Sequence, residues 1–144
     1  MKRITLLIIL AISLGIIVWG YIPDRGEGGF TSHEKELIRG ADSIFRVLTV
    51  RDSLDYAVLR SPSTDLSPKT IKSKDFADLC RTMLKTVTHP SQEGVGLAAP
   101  QIGINRRVVA VQRFDKPGEP FEVYPNIRLV WASDSLAYGP EGCL

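Results

Sequence analysis

The sequence is short of the residues that most often mark a metal site or a covalent scaffold, with two cysteines and two histidines in 144 positions. Two cysteines permit at most one bridge, so no disulfide framework holds this chain together. Charge of one sign is scarce as well, the formal net charge being +2. That balance, with 44% hydrophobic residues, excludes a disordered chain and a nucleic-acid-binding tail. Charge therefore names no partner, and no nucleic acid is expected. Internal repeats are lacking, and the one biased stretch is the glycine-rich segment 24–29.

Charged side chains are missing altogether from residues 4–22, which follow Met1-Lys2-Arg3. An apolar run of about 20 residues is long enough to cross a bilayer as a helix. Trp19 and Tyr21 at its end favour a retained signal anchor, while the lack of an Ala-x-Ala site or a nearby cysteine disfavours cleavage. A cleaved signal peptide and a buried helix are the alternatives. Lys2 and Arg3 place the rest of the chain outside the cytoplasm, membrane-anchored or exported, a vote that Arg25, Lys35 and Arg39 oppose.

What is present reads as an α+β domain. Segment 24–29 has linker composition, and Thr31-Ser32-His33-Glu34 is a capping box. Leu37, Ile38, Ala41, Ile44, Phe45 and Leu48 follow at helical spacing and predict one amphipathic helix. A second is predicted from Phe76, Leu79, Cys80, Met83, Leu84 and Val87, with Cys80 on the apolar face and Pro90 closing the segment. After Gly103 the pattern is that of strands: residues 107–114, a turn at Asp115-Lys116-Pro117-Gly118, then alternation at Ile127, Leu129 and Trp131. Pro125 marks that run as an edge or a kink. The expected organisation is residues 1–22 as anchor or signal, 23–45 as linker and amphipathic helix, and 46–144 as a domain small for a self-sufficient core.

Two stretches carry chemistry. Gly94-Val95-Gly96-Leu97-Ala98-Ala99-Pro100-Gln101 combines small residues, which let backbone approach a ligand, with one side-chain amide. On pattern alone it fits a closely packed turn as readily as a ligand loop. Glu141-Gly142-Cys143-Leu144 places a cysteine after a glycine, and a lone cysteine is commonly a small buried hydrophobe.

Taken in order, a glycine-alanine loop ending in Gln, a hairpin and Glu-Gly-Cys-Leu resemble the paired signatures of peptide deformylases. The resemblance covers residues 46–144. Arg46-Val47-Leu48-Thr49-Val50 and Leu59-Arg60 are similar to the family's entry strand and the Leu-Arg after it, whereas residues 52–58 fit less neatly. Tyr124-Pro125-Asn126 stands where the family commonly has Asn-Pro, a swap expected to be structural. The resemblance implies an antiparallel α+β fold and hydrolysis of the N-formyl group from formylmethionyl peptides or nascent chains. It implies Cys143 as a metal ligand, usually of Fe(2+) though another divalent metal can serve, completed by two histidines of a His-Glu-x-x-His helix. Gln101 and the Leu144 backbone N–H become the donors to the oxyanion, and Gly94, Val95, Gly96 and Gly142 the substrate-binding positions.

No His-Glu-x-x-His occurs in the sequence, which stops at Leu144 directly after the second signature. The expectation is a truncated deformylase domain with a weak, unselective metal site and no activity as written. His33 and His89 are expected at caps or on the surface. Two other functions stay open. One is a membrane-tethered, non-catalytic formyl-peptide-binding module or relic. The other is a cysteine hydrolase with Cys143 as nucleophile and His89 as base. A Cys80–Cys143 bridge would bury the implied ligand and is not expected. Cytoplasmic residence, usual for the family, is the alternative to the anchor.

Overall fold

The computed structural model describes residues 28–139 except Asp42 and Glu93. The apolar helix expected at 4–22 lies outside these residues, as do Gly142, Cys143 and Leu144. Among the described residues no helix is long and apolar enough to cross a membrane.

Helix α1, Ser32–Gly40, starts as its capping box dictates: Thr31 Oγ1 accepts from Glu34 N at 3.1 Å and Glu34 Oε2 accepts from Thr31 N at 2.8 Å. The helix is shorter than the apolar spacing predicts. It ends at Gly40, with Ala41 already extended, because glycine is a poor helix former and the next backbone groups have tertiary partners. Phe45 N donates to Thr86 Oγ1 at 2.9 Å and Leu48 N to the Gln101 carbonyl at 2.7 Å. Phe45 and Leu48 are buried, but from an extended segment whose spacing of three imitates a helix. That segment forms no strand of its own.

Helix α2, Ser53–Leu59, occupies the stretch that fits the family pattern less neatly and was not anticipated; Asp52 caps it by accepting from Leu54 N and Asp55 N. The short α3, Pro68–Ile71, is capped by Ser67 and begins on a proline, whose missing N–H costs nothing at that position. Helix α4, Lys74–Val87, capped by Ser73, is the one the periodicity placed most closely. Leu79, Met83 and Val87 are fully buried, while Cys80 lies half-buried on the flank of the stripe instead of its centre. Burial pushes its thiol up to about 11, so it rests as an inert thiol. Thr86 takes the inward position and satisfies its hydroxyl by donating to Thr82 O at 2.7 Å.

Three strands form one antiparallel sheet in the order β1 (Gly96–Ala98), β2 (Val108–Gln112), β3 (Phe121–Pro125), with Leu97 opposite Ala110 and Ala110 opposite Val123. Leu97, Val108 and Ala110 point into a core shared with Leu79, Met83, Val87, Ile104, Phe30 and Ile38. The last strand is earlier than the alternation at Ile127, Leu129 and Trp131 suggests. Pro125 closes it on the sheet edge, and Asn126, at φ +55°, turns the chain out. The Asn126 side chain accepts from Leu66 N and donates to Leu66 O, each at 2.8 Å, so the departure at Tyr124-Pro125-Asn126 has a structural purpose. Leu129 and Trp131 are then exposed, at 86% and 76%.

One buried ion pair joins the two ends of this arrangement. Arg106, just before β2, donates through Nε and Nη2 to the two oxygens of Glu34 at 2.8 Å, with side-chain exposures of 3% and 9%. Burial raises the Glu34 carboxyl, but the Arg106 and Thr31 donors outweigh it and hold it below its usual 4.5. A depressed carboxylate lends stability above its unfolded value, lost as pH falls through the folded one. Glu34→Ala, which leaves Arg106 buried without its carboxylate, is expected to cost about 3–5 kcal/mol in urea unfolding. The same variant should flatten the acid limb of the stability profile below about pH 4.5; an unchanged limb would show that Glu34 is not the titrating group.

Candidate functional site

The Gly-Ala stretch forms strand β1 and runs straight into a 3-10 turn, Ala99–Ile102. Leu97, Ala99 and Ile102 are buried and root the turn in the core. Gly103 closes it at φ +80°, where a side chain would be strained, and Ile104 N returns to the Ala99 carbonyl at 3.0 Å. Proline at the second turn position fixes φ in the helical range.

Gln101 sits inside this turn, half-buried. Its Oε1 accepts from Ala98 N at 2.8 Å. Only the oxygen of a primary amide can receive an N–H, so the bond also fixes the flip of the amide: Nε2 is the outward donor. Among the described residues Nε2 has no partner. A two-hydrogen donor is thus held rigidly at the end of a strand.

The strand offers a second feature. Gln112 N donates to the Val95 carbonyl at 2.8 Å, so Val95 and Gln112 form a hydrogen-bonded pair, and by antiparallel alternation so do Leu97 and Ala110. Gly96 and Ala98 therefore turn their N–H and C=O groups away from β2. Ala98 N is taken by Gln101, while the Gly96 groups stand open on the outer edge of β1 among the described residues. A Cβ at Gly96 would meet Ala110 O at 3.4 Å and Val111 Cγ1 at 3.7 Å, ordinary contacts. The fold itself does not demand glycine there. Gly94 is half-buried and Val95 is 58% exposed. Beside the turn, Ala98, Pro100, Val109 and Ile127, together with Arg106 and Arg107, line a small, mostly apolar hollow of about 280 Å³.

Of the residues expected in the site, Gly96 thus lies on β1 and Gln101 in its turn, with Gly94 and Val95 leading into the strand. Gly142, Cys143 and Leu144 lie outside the described residues. His33 on α1 and His89 after α4 are both exposed, and His89 Nδ1 is engaged locally with Ser91, at 2.7 Å to its hydroxyl and 3.2 Å to its N–H. No group of three His, Cys, Asp or Glu side chains among the described residues could hold a metal. Cys143, the ligand the resemblance implies, is not among them. Sequence reasoning missed the Ala98 N–H and the Leu48 prop under Gln101, since a main-chain donor leaves no mark in sequence. It also missed α2, which the Asp52-Ser53 cap signal could have placed.

A family model described as polypeptide deformylase matches residues 44–144. Among curated proteins, the peptide deformylase of Leptospira biflexa is 45% identical over 67 residues, 44% of this chain and 36% of that protein. That of Synechocystis is 39% identical over 90 residues, 60% of this chain and 44% of that protein. The chain thus spans less than half the length of these relatives. A Met-Ala-Ser-bound class I type b peptide deformylase from Acinetobacter baumannii superposes with a TM-score of 0.58 at 27% identity, over 70% of this chain and 64% of that one. Two glycines should separate fold from site. Gly103→Ala is expected to lower stability by about 1–2 kcal/mol, and Gly96→Ala to change it by less than about 0.5 kcal/mol, both read by thermal unfolding.

Proposed function

Because the chain belongs to the polypeptide deformylase family, we propose that it carries the substrate-binding strand and an oxyanion donor of a peptide deformylase. The reaction is hydrolysis of the N-formyl group from the N-terminal formylmethionine of newly made polypeptides. Water adds to the formyl carbon, the C–N bond breaks, and formate and the free amine leave.

The observation that carries this reading is the Ala98 N–H bond to Gln101 Oε1. It presents Nε2 as a preorganised donor, the arrangement that stabilises negative charge developing on a carbonyl oxygen. The peptide joins as an extra strand on the open edge of β1, exchanging hydrogen bonds with Gly96 N–H and C=O. A glycine there lets the two backbones close without a side chain between them. The apolar hollow beside Ala98 and Val109 suits an unbranched side chain such as methionine. On the same reading Gly142 meets the substrate backbone, Leu144 N–H is the second oxyanion donor, and Cys143 is the thiolate ligand of ferrous iron or another divalent metal; these three rest on the resemblance.

A non-catalytic formyl-peptide-binding module is the second reading, favoured by one observation: the strand edge and the Gln101 donor are assembled by the described residues, among which no group of three metal-ligating side chains occurs. The two separate in one experiment. The native protein supplied with ferrous iron is expected to release formate from formyl-Met-Ala-Ser. Gln101→Leu should lower kcat by about 100- to 1000-fold, with little change in KM. Binding of the formylated peptide without formate release would support the binding module, and no formate release together with equal affinity for formylated and free peptide would refute both.

A further inference from the structure

Residues 52–58, which fit the family pattern less neatly, supply the cap and most of α2 and bring one carboxylate to the segment that props Gln101. Asp55 is 4% exposed. Its Oδ2 accepts from Thr49 N at 3.0 Å and from Arg46 Nη1 at 2.9 Å, and its Oδ1 accepts from Arg46 Nη2 at 2.5 Å. Between the two clamped residues lies Leu48, whose N–H supports the Gln101 carbonyl at 2.7 Å.

Helix α2 is itself anchored at both ends. Asp52 caps its start, and Asn105 Nδ2 donates to the Val58 and Ser61 carbonyls at 2.9 and 3.1 Å beyond its last turn. Apolar packing here is incomplete, because a groove of about 300 Å³ lined by Leu48, Leu54, Val58 and Ile102, together with Arg46 and Asp55, runs between α2 and the turn. The carboxylate ties α2 to the segment that carries Leu48.

We propose that Asp55 is a positioning residue for Gln101: by clamping Arg46 and Thr49 it fixes the Leu48 N–H beneath the turn, and so fixes where the Gln101 amide points. The proposal rests on the reading of Gln101 as an oxyanion donor. A displacement on the order of 1 Å at such a donor reduces turnover by up to about 100-fold.

The test uses the full chain and two variants. Asp55→Ala removes both acceptors; Asp55→Asn keeps one oxygen for Thr49 N–H but cannot receive the Arg46 fork. Nuclear magnetic resonance on the free protein should show the Leu48 amide exchanging about tenfold faster in Asp55→Ala, with a shifted Gln101 side-chain amide and core amides unchanged. In formate release kcat should fall about 10- to 100-fold at constant KM in Asp55→Ala, and by a smaller but measurable factor, with faster Leu48 exchange, in Asp55→Asn, which loses the Arg46 fork. Unchanged Leu48 exchange and Gln101 resonances would overturn the proposal, as would a uniform loss of protection across the core, which marks a merely structural role. Should Asp55→Ala fail to fold, Asp55→Asn decides by the same two signals. A native protein that releases no formate would sink the deformylase reading alone, since the amide signals of the free protein still judge the positioning role.

Discussion

Glu34 holds two partners at once, and the arrangement of the described chain follows from that. One carboxylate oxygen closes the capping box of α1 through Thr31 N, while both oxygens receive the guanidinium of Arg106 at the entrance to β2. A buried charge pair gains little net stability over apolar packing, because both ions have left water. Its value lies in what it forbids. With Arg106 inside, at 2% exposure, any register that moves β2 by one residue would carry a guanidinium out of its fork and leave a carboxylate buried without it. Arginine suits this better than lysine, since its planar fork matches both carboxylate oxygens and spares a donor for Thr64 Oγ1 at 3.0 Å. The pair thereby sets the height of β2 against α1. The register of β1 and β3 follows from that of β2.

Local signals in the sequence were legible where the local interaction decided the outcome. The Thr31-to-Glu34 box placed the start of α1, and the apolar stripe placed α4 nearly to the residue. Where a distant partner decided, periodicity misled. Phe45 and Leu48 continue the spacing of α1 but are held extended by Thr86 and Gln101, 41 and 53 positions away. The alternation at Ile127, Leu129 and Trp131 is real, yet the strand is Phe121–Pro125, since Asn126 bonds the Leu66 backbone and leads the chain off the sheet. Neither tie has a sequence spacing that could announce it. The Glu34–Arg106 pair has the same character, its members being 72 positions apart.

The site shows the same division at finer scale. Residue types were enough to single out Gln101 and the glycines before it, because few sequences crowd small residues ahead of one amide. What the residue types could not supply is direction. Gln101 is a useful donor only if its oxygen is occupied, and the group that occupies it is a backbone N–H three residues earlier. Resemblance names the residue, while the hydrogen bond gives it a chemical sense.

An open strand edge is ordinarily a liability, inviting other chains to pair. Strand β1 limits that hazard by its length, for a three-residue strand whose alternate donor, Ala98 N, is already consumed by Gln101 leaves only Gly96 to pair outward. One residue's worth of ladder is too little to hold a foreign strand by backbone alone. On the proposed function it would be enough for a peptide that also places a carbonyl on the Gln101 amide and a side chain in the hollow beside Ala98. The bond that orients the donor thus also shortens the edge, so on the proposed function selectivity for a ligand with all three features would come from the same hydrogen bond that aims the Gln101 amide.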